Sequence, residues 1–107
     1  MNTTKIRELN DAFRTTLQGG RVTMTPGIAE LPDNLRTAVI ARVVTFDTFD
    51  TNNDPHSEHD FGAFDVGDKK AFWKIDYYDS SLEYGSEDPA DANATTRVLT
   101  IMFASEY

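Results

Sequence analysis

The chain has 107 residues, 39% of them apolar and 11% aromatic, which suffices for one packed core and one domain over residues 1–107. Its net charge is −8 and it contains no cysteine, which excludes disulfides, thiolate nucleophiles and zinc sites built on sulfur. No basic leader with an apolar run opens it and no stretch nears the roughly 18 apolar residues of a membrane span, so the expectation is a soluble cytoplasmic protein without membrane contact.

Ile6, Leu9, Phe13 and Leu17 recur at steps of three and four, predicting an amphipathic helix with Thr3 or Thr4 as N-cap and Gly19-Gly20 as its stop. Neither a GxxxxGK[ST] nor a GxGxxG pattern surrounds that glycine pair, so it reads as a cap and not a phosphate loop. Arg21 to Thr25 is short and β-branched, a strand suited to a sheet edge, and Pro26-Gly27 closes it. From Asp33 to Phe46, Leu35, Val39, Val43 and Phe46 share one face with Ile40 beside them, predicting a second amphipathic helix started by Pro32-Asp33.

Residues 47–58 are rich in Asp, Asn, Thr and Pro and predict an exposed loop. DFGAFDV, then Gly67-Asp68, then KKAFWKIDYYD predict a hairpin. In its second strand Ala71, Trp73, Ile75 and Tyr77 alternate with Phe72, Lys74, Asp76 and Tyr78, which puts Trp73 and Ile75 in the core. Phe61, Phe64, Phe72, Trp73, Tyr77 and Tyr78 read as core aromatics, Tyr78 being the one nearest the surface. A second acidic loop, YGSEDPADANA, precedes Val98 to Ala104, which is apolar on both faces and predicts a central strand. The sum is an α+β fold: an antiparallel sheet of about four strands with two amphipathic helices packed on one face.

Charge is unevenly spread. Residues 46–91 hold three Lys/Arg against thirteen Asp/Glu, a net of −10, while residues 1–45 are net +2 and the remainder is neutral. Such a field repels nucleic acid and attracts basic proteins, so direct nucleic-acid binding is not expected.

Both histidines lie in NDPHSEHDFGAFD, Asn53 to Asp65. A metal reading would use His56, Glu58, His59 and Asp60 with Asp54 or Asp65. Histidines three apart converge on a helix, however, and Pro55 and the strand-like run that follows make this a loop, so neither metal nor cofactor is expected. A structural reading makes Asp54-Pro55 a turn, leaves His56 and Glu58 solvated, and has His59 or Asp60 anchor the strand start through a hydrogen bond. A catalytic or ligand-binding reading would gather His59, Asp60, Asp76, Tyr77, Tyr78 and Asp79 across the hairpin.

Taken together, IRELNDAFR, GGRVTMTPGIAELP, NDPHSEHDFGAFDV, FWKIDYYD and YGSEDPADANATTRVLTIMFASEY resemble a family of small bacterial proteins known as a domain of unknown function, over Ile6 to Tyr107. The resemblance implies a setting on plasmids, integrated elements and phages, and it transfers no catalytic residue. With the charge pattern, it leads to the expectation of a non-enzymatic binding protein. Asp47, Asp50, Asp54, Glu58 and Asp60 of the first acidic loop, with Glu83, Glu87, Asp88 and Asp91 of the second, would face a basic partner. For a mobile element that partner would be a nucleic-acid-binding defence protein, met by a surface that imitates phosphates. The alternative is a small enzyme or ligand-binding domain using His59, Asp60, Asp76, Tyr78 and Asp79, and a third possibility is a regulatory subunit; oligomeric state stays open.

Overall fold

The structure is a computed structural model that describes residues 2–107. Helix α1 spans Thr3–Thr16; Asn2, one residue ahead of the predicted caps, accepts the Lys5 N–H on its side chain. The helix ends as Leu17 enters the left-handed region (φ 58°) and returns its N–H to the Phe13 carbonyl. Its buried face comprises Ile6, Asn10, Phe13 and Arg14, turned toward two polar residues and away from Leu9, which is only half-buried.

Strand β1 (Gly20–Met24) leads into a four-residue helix α2 (Pro26–Ala29), which opens on proline and buries Ile28 completely. Helix α3 (Asp33–Val44) buries Val39 and Val43, but Leu35 at its start is 44% exposed. Phe46 lies beyond the helix end and meets Trp73 edge-on, with centroids 5.5 Å apart. Strands β2 (Phe61–Val66) and β3 (Lys69–Tyr78) form the predicted hairpin, with Gly67 at φ +62° in the two-residue turn. Strand β4 (Thr96–Phe103) runs into a closing 3₁₀ turn, Ala104–Glu106. No helix among the described residues is long and apolar enough to cross a membrane.

The protein is an α+β fold whose sheet order is β1-β4-β3-β2. β2, β3 and β4 pair antiparallel as expected, and β4 is central. β1 lies at the edge, but parallel to β4. The connection from β1 to β4 contains two helices and a whole hairpin, so no tight turn obliges those strands to run in opposite directions.

All three helices pack on one face of the sheet. Phe13, Ile28, Val39 and Val43 cover Phe64, Ala71, Trp73, Ile75, Leu99, Ile101 and Phe103. Period-two alternation sends Phe61, Phe72 and Tyr78 to the opposite face with Lys74, Asp76, Thr100 and Met102. The expectation of core aromatics thus holds for Phe64, Trp73 and Tyr77 and fails for Phe61 and Phe72, which stay half-buried on a face no helix covers, while Tyr78, expected nearest the surface, is half-buried there as well.

Trp73 is fully buried, and Gly62 on the neighbouring strand is what admits it: a Cβ at Gly62 would lie 2.3 Å from the indole nitrogen. Trp73→Ala should cost about 3–5 kcal/mol, and Gly62→Ala, which overfills the same space, about 1–3 kcal/mol. Urea unfolding followed by far-ultraviolet circular dichroism checks both, since Trp73 is the only tryptophan reporter.

Candidate functional site

Two segments free of Lys and Arg, residues 45–60 (loop 1) and 79–95 (loop 2), leave the sheet at the end opposite the Gly67-Asp68 turn. β3 holds both by the same edge. The Ile75 N–H donates to the Asp60 carbonyl (2.8 Å), and two residues on the Tyr77 carbonyl accepts from the Ser86 N–H (3.0 Å) while Tyr78 bridges Gly85. Residues i and i+2 of a strand are about 6.6 Å apart, so loop 1 ends where loop 2 folds back.

Loop 1 is built from side-chain turns. Asp50 accepts the N–H groups of Asn52 and Asn53, and the Asp54 N–H returns to the Asp50 carbonyl at 2.8 Å. Asp54 Oδ1 then accepts the N–H groups of Glu58 (2.9 Å) and His59 (3.1 Å), holding Ser57 and His59 in the left-handed region. Asp54, expected on an exposed binding surface, is therefore buried at 6% exposure, because its carboxylate supplies acceptors to the loop's own backbone.

Helix α1 grips this loop. Arg7 donates to the Ser57 carbonyl, Asn10 Nδ2 to the Glu58 carbonyl (3.0 Å) and the Tyr77 hydroxyl (2.8 Å), and Asp11 pairs with His59 Nδ1 at 2.9 Å. Tyr77 in turn donates to Glu58 Oε1 at 2.7 Å. Burial first, and that bond second, push the Tyr77 pKa up, so the hydroxyl stays a donor. On the other side of Asn10, Arg97 Nε donates to its Oδ1 (2.7 Å) and Arg97 Nη2 to the Pro89 carbonyl, so one chain of hydrogen bonds, buried at its centre, joins loop 1 to loop 2.

Arg14 closes the near end of loop 1. Its Nη1 donates to the carbonyls of Val43 (3.0 Å) and Phe46 (2.9 Å), satisfying the C-terminus of α3, while its guanidinium lies over Trp73 and Phe49. His59 stacks on Phe49 with centroids 3.7 Å apart and planes 4° from parallel.

The predicted acidic residues divide in two. Asp47, Asp50, Glu83, Glu87, Asp88 and Asp91 are exposed, whereas Asp54 is buried and Glu58 and Asp60 are half-buried. Glu58 is tied to Tyr77 rather than solvated. Burial, followed by the charge of Glu58, raises the Asp60 pKa. The other predicted set is not brought together: His59 faces α1, Asp76 pairs with Lys74 and shares the uncovered face with Tyr78, and Asp79 binds Ser81 and the Glu83 N–H within loop 2. That last arrangement, led by the Ser81 hydroxyl, lowers the Asp79 pKa.

His59 presents Nδ1 to Asp11 and Nε2 toward Asp54 (3.6 Å) on opposite edges of its ring, and His56 stands exposed. Among the described residues no three His, Asp or Glu side chains are grouped to hold a metal ion. A cavity of about 550 Å³ lined by Leu31, Leu35, Val66 and Phe103 opens at the far end of the sheet, away from these groups. Sequence reasoning missed Asn10, Asp11, Arg14 and Arg97, which hold the loops. The available signal was that Asn10 and Arg14 fall in line with Ile6 and Phe13 on one helical face.

The chain belongs to the family described as Protein of unknown function (DUF3768), whose model matches residues 24–106. The match takes in both acidic loops and three of the four strands, and it begins beyond α1. No curated protein and no solved structure matches the chain.

Replacing Arg14 by methionine keeps the apolar stem and removes a charged donor from three carbonyls; the expected loss is about 1.5–3 kcal/mol, read from denaturant midpoints. Asp60 gives a pH signature. Its folded-state pKa is raised, so as pH climbs through the ordinary carboxylate range the unfolded chain loses this proton first and stability falls. Asp60→Asn should therefore melt above the parent at pH 7, with the difference vanishing as pH drops below that range.

Proposed function

We propose that this is a non-catalytic binding protein whose acidic end, formed by loops 1 and 2, docks onto a basic partner protein in the cytoplasm. The observation that carries this reading is the attachment of both Lys/Arg-free loops to one edge of β3, which sets six exposed carboxylates at one end of the molecule. Asp47, Asp50, Glu83, Glu87, Asp88 and Asp91 form the contact set; Asp54, Glu58 and Asp60 act as its scaffold. Side-chain turns and the hydrogen-bond chain through Asn10 pre-order the loops, so less conformational entropy is lost on binding.

A fixed array of carboxylates suits a protein that ordinarily grips phosphates. If the chain serves a plasmid, phage or integrated element, a host defence protein of that kind, a restriction enzyme or CRISPR effector, is the target this reading favours. The interaction would weaken steeply with salt, because exposed charges are screened over about 8 Å at physiological ionic strength.

Fluorescence anisotropy of labelled duplex DNA bound to purified restriction enzymes and CRISPR effectors tests the idea. The parent should displace the DNA at low salt, and a variant carrying Asp47→Lys, Asp50→Lys, Glu87→Lys and Asp88→Lys should not, while each exposed change alters stability by no more than about 0.5 kcal/mol. Displacement by the variant equal to the parent's, or none by the parent from any of them, would contradict the reading.

A further inference from the structure

The sheet face turned away from the helices carries, along its central strand, a pattern with two-fold symmetry. Counting outward from Ile75, β3 presents Lys74 and Asp76, then Phe72 and Tyr78. The order is aromatic, cation, anion, aromatic. Neighbouring strands add Thr100 and Val98 on one side, with Met102 buried beneath, and Phe61 and Ala63 on the other, and Tyr107, 78% exposed, meets Phe72 edge-on at 5.9 Å. Lys74 and Asp76 pair with each other and retain 33% and 37% side-chain exposure.

We propose that this face binds a second copy of the chain about a two-fold axis that crosses β3 at Ile75. Such an axis lays β3 antiparallel over its equivalent, bringing Lys74 opposite the partner's Asp76 and Phe72 opposite the partner's Tyr78. An axis along the strand would instead set Lys74 on the partner's Lys74, so like-charge repulsion selects the first arrangement.

The charge of the face as a whole is compatible with this contact. The face itself is nearly neutral, with Arg21, Lys70 and Lys74 against Asp65 and Asp76, on a chain whose net charge is −8. A face without net acidic charge adds no repulsion of its own to the meeting of two acidic copies. In the antiparallel arrangement the two acidic ends lie at opposite poles, each beside the partner's hairpin turn, where Lys69 and Lys70 balance Asp65 and Asp68, so the acidic ends do not meet each other. The variants that test this contact leave both acidic loops intact, so it stands or falls separately from the proposed function.

Sedimentation equilibrium over a concentration series, with circular dichroism to confirm folding, tests the contact. The parent should show twice the mass of the chain, and Lys74→Asp and Asp76→Lys should each be monomeric. Mixing those two single variants, or combining both changes in one chain, should restore the doubled mass, because opposite charges again face one another. A parent that stays monomeric, a dimer indifferent to either reversal, or single variants that fail to recombine would overturn the proposal. So would a monomeric parent that instead retains single-stranded oligonucleotide on this face.

Discussion

The acidic end of this protein depends on the side-chain amide of Asn10. Asn10 is completely buried, and its amide makes three hydrogen bonds: it accepts from Arg97 and donates to the Glu58 carbonyl and the Tyr77 hydroxyl. Each bond reaches a different element: β4, loop 1 and β3. A buried amide stripped of such partners costs several times what a single satisfied bond contributes, so the arrangement is strongly specified once formed. Arg14, one helical turn further on, fixes where α3 stops and loop 1 begins. One helix face thus holds a loop that has neither strand nor helix of its own, and that loop carries part of the charge by which the molecule would be recognised.

Much of the fold was legible from residue pattern because burial follows period. Alternation through β3 identified Trp73 and Ile75 as core, and a run apolar on both faces identified β4 as central. The same alternation put Asp76 on the face opposite Trp73, but that His59 lies on the helix side, against Asp11, emerged only from the structure. The parallel pairing of β1 was not legible, since long-range strand direction is set by packing and not by any local turn. The polar half of the α1 stripe was legible as alignment on the helix but not as burial. Periodicity marks apolar positions on a face, whereas Asn10 and Arg14 are buried only because carbonyls from residues 43, 46 and 58 and the Tyr77 hydroxyl converge on them. Asp54 misled for a related reason: an Asp in a polar loop usually faces water, and this one instead serves two backbone N–H groups.

The fold separates its surfaces by chemistry. Helices cover one sheet face, the other keeps a balanced mixture of aromatic and oppositely charged side chains, and the carboxylates without basic neighbours gather at one end. A chain with net charge −8 limits uniform self-repulsion in this way, because six of its carboxylates project from the two loops, away from the packed faces of the sheet. Both proposed contacts, one electrostatic at the loops and one self-complementary on the sheet, follow from that separation and occupy different parts of the molecule.

The central claim is that α1 orders the acidic loops through Asn10, and amide hydrogen exchange of Asn10→Ala tests it most directly. In the parent, the amides of Glu58 and His59, bound to Asp54, and the Ser86 amide, bound to Tyr77, should be protected. In the variant these should exchange faster while Leu99 and Ile101 in the central strand keep their protection. Loop amides as slow as the parent's, or a sheet that loses protection in step with the loops, would contradict the account.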